Sequence, residues 1–182
     1  MKLKIVLGSV RKGRLGERVA KWVTSELDKN KVEYELLDLL DYKMPFVDAE
    51  KVPFELNKKY PHEAVQRWSD KIDEGTAYIF VTPEYNRGCP ASLKNAIDWL
   101  GMELWSKPVA FVAYSDGPIG GARCVEHLRS VVSNFNMYDI RNSVLIGKAD
   151  QVISTAGKSN ITALDEQIAK IATELSKLSD AL

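Results

Sequence analysis

The 182-residue chain carries 25 Lys and Arg against 25 Asp and Glu, a formal charge of zero. That balance removes the bulk electrostatic case for a nucleic-acid or anionic-membrane partner. With 45% hydrophobic and 27% charged residues, one domain over 1–182 can bury its own core without staples.

The apolar pattern begins at Leu3, which leaves no room for a signal peptide, and no apolar run is long enough to span a bilayer. Residues 2–7 (KLKIVL), closed by Gly8, read as a first strand. Val19, Trp22, Val23 and Leu27 then recur at helical spacing across 16–28. Residues 33–39 suit a second strand, and 45–61, with three prolines, an irregular loop ending near His62. Val65, Trp68 and Ile72 mark a second helix, stopped by Gly75. Residues 77–81 (AYIFV) are nearly all apolar, as in a parallel strand buried on both faces, and they run into Thr82 and Pro83.

Leu93, Ala96, Ile97 and Leu100 give a third helix, ended by Gly101, and 108–114 another apolar strand. Val125, Leu128, Val132 and Phe135 trace a fourth helix, and 140–146 a fifth strand. Leu164, Ile168, Ile171, Leu175 and Leu178 step by four and three along a final amphipathic helix. Five strands alternating with helices predict an α/β fold, a doubly wound parallel sheet with helices on both faces. In the order 2-1-3-4-5, strands one, three and four are neighbours. Ligands of such sheets bind beyond the carboxyl strand ends, where strand order reverses.

The three loops that leave those strands have unusual composition. The first, GSVRKGRLG, leads into a helix whose unpaired N–H groups suit a phosphate. Ser9 adds a hydroxyl, Arg11 and Arg14 add guanidinium groups, and Gly13 and Gly16 permit close backbone approach. A phosphate contact by either arginine contributes about 1.5–3 kcal/mol. The chain lacks both GxGxxG and GxxxxGK[ST] here, so a monophosphate, as in FMN, fits better than a diphosphate chain. The competing reading is a capped turn with solvated arginines. In the second loop, backbone groups of Pro83, Glu84, Tyr85 and Asn86 can read the edge of a planar heterocycle while Tyr85 shields one face; an ordinary turn is the alternative. The third, SDGPIGG, places three glycines in five positions, a tight path beside something flat or simple flexibility.

Taken together, GSVRKGRLGERVA, TPEYNRGCPASLKNAIDWL and SDGPIGGARC resemble the NADPH-dependent FMN reductase family, which includes bacterial chromate and quinone reductases and related azoreductases. The resemblance spans nearly the whole chain. It implies a flavodoxin-like sheet, FMN held noncovalently, NADPH or NADH as reductant, a small-molecule electron acceptor and a homodimer or homotetramer. It assigns Ser9, Arg11, Arg14, Leu15 and Gly16 to the phosphate. Pro83, Glu84, Tyr85 and Asn86 would follow the isoalloxazine and ribityl chain, and Ser115, Gly117 and Gly120 the other side of the ring. Many bacterial relatives have serine and asparagine where this chain has Arg14 and Gly16, which leaves the phosphate contacts open.

The flavin would carry the chemistry, so no catalytic side chain and no metal is expected. Two cysteines without CxxC spacing read as packing residues in a reducing cytoplasm. His62 and His127 read as solvated or core histidines. Trp99, Leu104 and Trp105 suit a subunit contact or the core equally. A flavodoxin-type electron carrier and a flavin-dependent regulatory protein remain the alternatives, although such carriers are usually strongly acidic.

Overall fold

Strand β1 (Leu3–Leu7) is buried along its whole length in the computed structural model, which describes residues 1–182. It lies between β2 (Tyr34–Asp38) and β3 (Ala77–Pro83), parallel to both. β4 (Pro108–Tyr114) continues the sheet beyond β3, again parallel. All seven residues of β3 and of β4 are buried, which is why both segments read as unbroken apolar runs. The sheet order is 2-1-3-4-5, the flavodoxin-type order.

Helices cover both faces. Helix α1 (Gly16–Lys29) and the last helix, Thr162–Ala181, pack Val19, Trp22, Val23 and Leu27 with Ile168, Ile171 and Leu175 on one side. On the other side, α2 (Glu63–Asp73), α3 (Ala91–Asp98) and α4 (Ala122–Ser133) bury Trp68, Ile72, Leu93, Ile97, Leu128 and Val132. Burying each aliphatic side chain of these stripes stabilises by about 1.5–3 kcal/mol. No helix is long and apolar enough to cross a membrane.

The expected fifth strand over 140–146 is instead two short ones, β5 (Tyr138–Asp139) and β6 (Val144–Ile146), both paired to β4. The break has a tertiary cause. Arg129 on α4 pairs with Asp139 at 3.1 Å and donates to the Arg141 carbonyl at 3.2 Å and to Ser143 Oγ at 3.1 Å. The chain between the two strands is thereby drawn out of the ladder. A short helix α5 (Ala149–Val152), absent from the sequence reading, precedes the final helix α6 (Thr162–Ala181). The irregular stretch 45–61 contains one turn of 3₁₀ helix, Pro53–Leu56.

Candidate functional site

Register brings the three loops to one edge. Gly8 N–H donates to the Val81 carbonyl at 2.9 Å, Glu84 N–H to the Tyr114 carbonyl at 3.1 Å, and Ser115 N–H to the Ile146 carbonyl at 3.1 Å. Ser92 on α3 closes the back of the first loop by donating to the Gly8 carbonyl at 2.6 Å. The result is one small cleft of about 80 Å³, lined by Ser9, Arg11, Arg14, Leu15, Pro83, Glu84, Tyr85, Tyr114, Ser115 and Asp116. Eight of the residues expected from sequence meet there. Gly16, Asn86, Gly117 and Gly120 do not line it.

Within the first loop, Ser9 is fully buried and shares a hydrogen bond of 2.8 Å with Tyr85 Oη, linking the first and second loops. The backbone N–H groups from Lys12 to Glu17 donate to no backbone carbonyl. Here the partial positive charge of α1 faces the cleft. The Arg11 side chain is exposed at its rim.

Arg14 is placed differently. It is buried, and four of its five N–H donors are committed to protein: two to Asp38, one to the Ser9 carbonyl, and one from Nε to Glu17 at 3.2 Å. Burial acts against its charge, but Asp38 and then Glu17 outweigh burial and leave its pKa raised. One donor remains for the cleft, so Arg14 chiefly shapes the loop that holds Ser9.

Glu84 directs its carboxylate away from the cleft. It accepts from Arg123 N–H at 3.1 Å and Cys124 N–H at 3.4 Å, and pairs with the Arg123 guanidinium at 3.1 Å. It thus caps α4, whose first donors have no intrahelical partner. Tyr85 and Gly88 exchange two backbone bonds of 2.9 Å around Asn86 and Arg87, whose φ values are 49° and 66°. Positive φ at both central positions is the tight hairpin geometry that asparagine favours, so Asn86 shapes the turn that presents Tyr85.

The glycines also have local explanations. A Cβ on Gly120, already at φ +67°, would lie 2.7 Å from Ile146 N, so this glycine answers to β6. A Cβ on Gly16 would lie 2.4 Å from Tyr114 Oη. Gly117 holds the third loop in place by accepting from Lys148 N–H at 3.1 Å.

Two cleft residues escaped the sequence reading, Tyr114 and Asp116. The signal for Tyr114 was a single polar aromatic closing the otherwise apolar PVAFVAY run at the carboxyl edge. Its hydroxyl is buried and has no hydrogen-bond partner. A phosphate monoester suits this cleft: free helix amides, Arg11 and a hydroxyl without an acceptor converge, against the carboxylate of Asp116 and that of Glu84, which α4 and Arg123 already engage.

Neither cysteine is poised as a redox thiol. Burial raises the Cys89 thiol and pushes Cys124 up to about 12, despite the Thr82 hydroxyl 3.7 Å from its sulfur. His62 is engaged at the surface by Asp48 at 2.8 Å, and His127 is exposed. Trp99 and Leu104 belong to the core, which leaves Trp105 alone as exposed aromatic surface there.

A flavodoxin-type sheet with a monophosphate-sized anion cradle at its reversal point defines a class of flavin-nucleotide proteins. The chain belongs to the NADPH-dependent FMN reductase family, whose model matches residues 1–151. It is 37% identical over 138 residues to an NAD(P)H-dependent FMN reductase of Schizosaccharomyces pombe, covering 75% of this chain and 68% of that one. It is 36% identical over 137 residues to the quinone reductase of Escherichia coli, covering 72% and 70%. Its fold matches the flavoenzyme NAD(P)H:(acceptor) oxidoreductase FerB of Paracoccus denitrificans, with a TM-score of 0.77 over 97% of both chains at 22% identity. Membership makes the chain an oxidoreductase of the FMN- and nicotinamide-dependent kind.

Proposed function

We propose that this cleft holds the terminal phosphate of FMN and that the isoalloxazine lies along the open edge between the second and third loops. The protein then uses NADPH or NADH to reduce quinones, free flavins, azo compounds or metal oxyanions such as chromate, in the cytoplasm. The carrying observation is the meeting of three loops from separate stretches of chain around a surplus of hydrogen-bond donors.

Bound FMN supplies the hydride chemistry, and the chain supplies position and electrostatics. The amides at the start of α1 and Arg11 neutralise the phosphate. Ser9 and Tyr85, joined to each other, fix the distance between the phosphate loop and the loop beside the ring. Glu84 ties that second loop to α4, so Tyr85 stands on a braced support. No side chain of the cleft is required as acid or base, because alignment of the nicotinamide is the main demand.

The cleft is too small to enclose the whole cofactor. Pockets for ligands of this size occupy about 300–1,000 Å³, and about 80 Å³ encloses only the phosphate end. A flavin held here by its phosphate would keep a ring face open, which would let reductant and acceptor use it in turn. A second copy of the chain, in a homodimer or homotetramer, would complete its cover.

Purified protein should be yellow, and its released cofactor should run with FMN and not with FAD. Initial rates of NADPH oxidation with a quinone should give parallel double-reciprocal lines. A preparation that stays colourless after soaking in FMN would overturn the reading, and intersecting lines would remove the shared face.

A further inference from the structure

We infer that Tyr114 Oη is a hydrogen-bond donor to the phosphate end of FMN, supplied by the sheet and not by the first loop, and that Gly16 is the residue that admits it. The inference rests on the FMN reading above and adds a ligand to that same site.

Tyr114 is the last residue of β4, is 3% exposed and pairs in register with Pro83 at the end of β3. A buried hydroxyl without a partner is uncommon, since folded proteins satisfy nearly all such groups. Tyr114 Oη is one of only three buried side-chain polar atoms in that condition, and the other two belong to the Arg129–Asp139 pair away from the cleft. Its position relative to α1 is fixed by Gly16, whose missing Cβ would stand 2.4 Å from Oη and 2.9 Å from Leu7 Cδ1. The phenol therefore rests on the first residue of α1, beside amides that also lack an acceptor.

The surroundings say what the absent partner must be. Ser9 Oγ, joined to Tyr85 Oη, lies near enough to lower the phenol's pKa but completes no hydrogen bond with Tyr114 Oη, and Arg14 offers donors only. Burial raises the phenol far above its ordinary pKa, against smaller lowering effects of Arg14, Arg11 and the Ser9 hydroxyl, so it stays protonated at neutral pH. With an arginine and helix amides beside it and only hydroxyls as nearby acceptors, the phenol is left without a bond, and an anion satisfies all of these donors at once. Position 16 leaves no space for a Cβ beside this hydroxyl. Any side chain there would displace the phenol, so Gly16 and Tyr114 form a matched pair.

The test uses apoprotein stripped of flavin, with FMN and riboflavin as probes and quenching of flavin fluorescence as the readout. Tyr114→Phe should weaken FMN by about ten- to a hundredfold, the loss expected for a hydrogen bond to a charged group. Riboflavin, which lacks the phosphate, should bind within about twofold of wild type. The melting temperature of apo Tyr114→Phe should equal or exceed that of apo wild type, because an unpaired hydroxyl has been removed. Gly16→Ala should weaken FMN in the same way and lower the melting temperature, and Tyr114→Phe should restore part of that temperature when the two are combined.

Unchanged FMN affinity in a folded Tyr114→Phe protein would overturn the proposal and point to a trapped water as the partner. Equal weakening of FMN and riboflavin would also overturn it, moving the contact to the ring. Wild-type protein that binds neither flavin would sink the functional reading itself, a result distinct from both.

Discussion

Arg14 and Asp38 are joined by two parallel hydrogen bonds beneath the first loop, one of them 2.8 Å long. The same Asp38 carboxylate accepts from Leu40 N–H at 2.9 Å and caps the 3₁₀ turn Leu39–Asp41. One fork thus ties the loop after β1 to the chain after β2, and a further Arg14 donor holds the Ser9 carbonyl. Arg14→Ala should cost about 2–4 kcal/mol. Removing one partner of a buried pair costs roughly 3–5 kcal/mol, and Asp38, which is 25% exposed, recovers part of that through water. FMN affinity should fall with stability, because Ser9 loses its support. Urea titration of the apoprotein together with flavin binding checks this; a weak binder of full stability would make Arg14 a direct ligand.

Arg11 should behave in the opposite way. It is exposed and carries no side-chain bond to protein, so Arg11→Ala should change stability by no more than about 0.5 kcal/mol. FMN should bind roughly ten- to a hundredfold more weakly, at about 1.4 kcal/mol per factor of ten. Raising salt should narrow the difference between wild type and variant, since the contact is made at the rim. Unchanged affinity would remove Arg11 from the phosphate site.

The alternation of strands and helices was legible because β3 and β4 are nearly unbroken apolar runs and each helix shows its stripe, and such alternation leaves few doubly wound orders. The site was legible to the level of its loops. Which way each side chain points within a loop was not. Arg11 and Arg14 look alike in GSVRKGRLG, and only Asp38, 24 residues further on, turns one of them inward. A glycine looks the same whether its missing Cβ makes room for a ligand, for Tyr114 as at Gly16, or for β6 as at Gly120. The break between β5 and β6 depends on Arg129, which sits on a different element. Local pattern holds no trace of it.

Glu84 offers a separate handle on the second loop. Glu84→Ala removes the acceptor of two orphan amides on α4 and the partner of Arg123. Loss of a helix cap costs about 0.5–2 kcal/mol, and this carboxylate also faces the positive end of the helix. The variant should therefore lose about 1–2 kcal/mol. FMN and riboflavin should weaken in parallel, because the loop that slackens carries Tyr85. A loss confined to FMN would place Glu84 at the phosphate instead.

At the opposite edge of the sheet, stability should depend on acid through Lys4. This lysine is 4% exposed on β1 and contacts Glu35 and, at 2.7 Å, Glu74. Its ammonium lowers the pKa of both carboxyls, with burial acting against it and Lys71 adding to it. An acid depressed in the folded state binds fewer protons there than when unfolded, so its stabilising contribution is full above the ordinary glutamate value of 4.5. That contribution is lost as pH falls through the lower folded values. Both carboxylates are well exposed, so screening keeps the effect modest. Lys4→Met, which keeps the apolar stem without the charge, should flatten the acid limb below pH 4.5. Urea midpoints for wild type and Lys4→Met at pH 7 and pH 3 provide the comparison. An equally steep fall in both proteins would assign the acid sensitivity to other carboxylates.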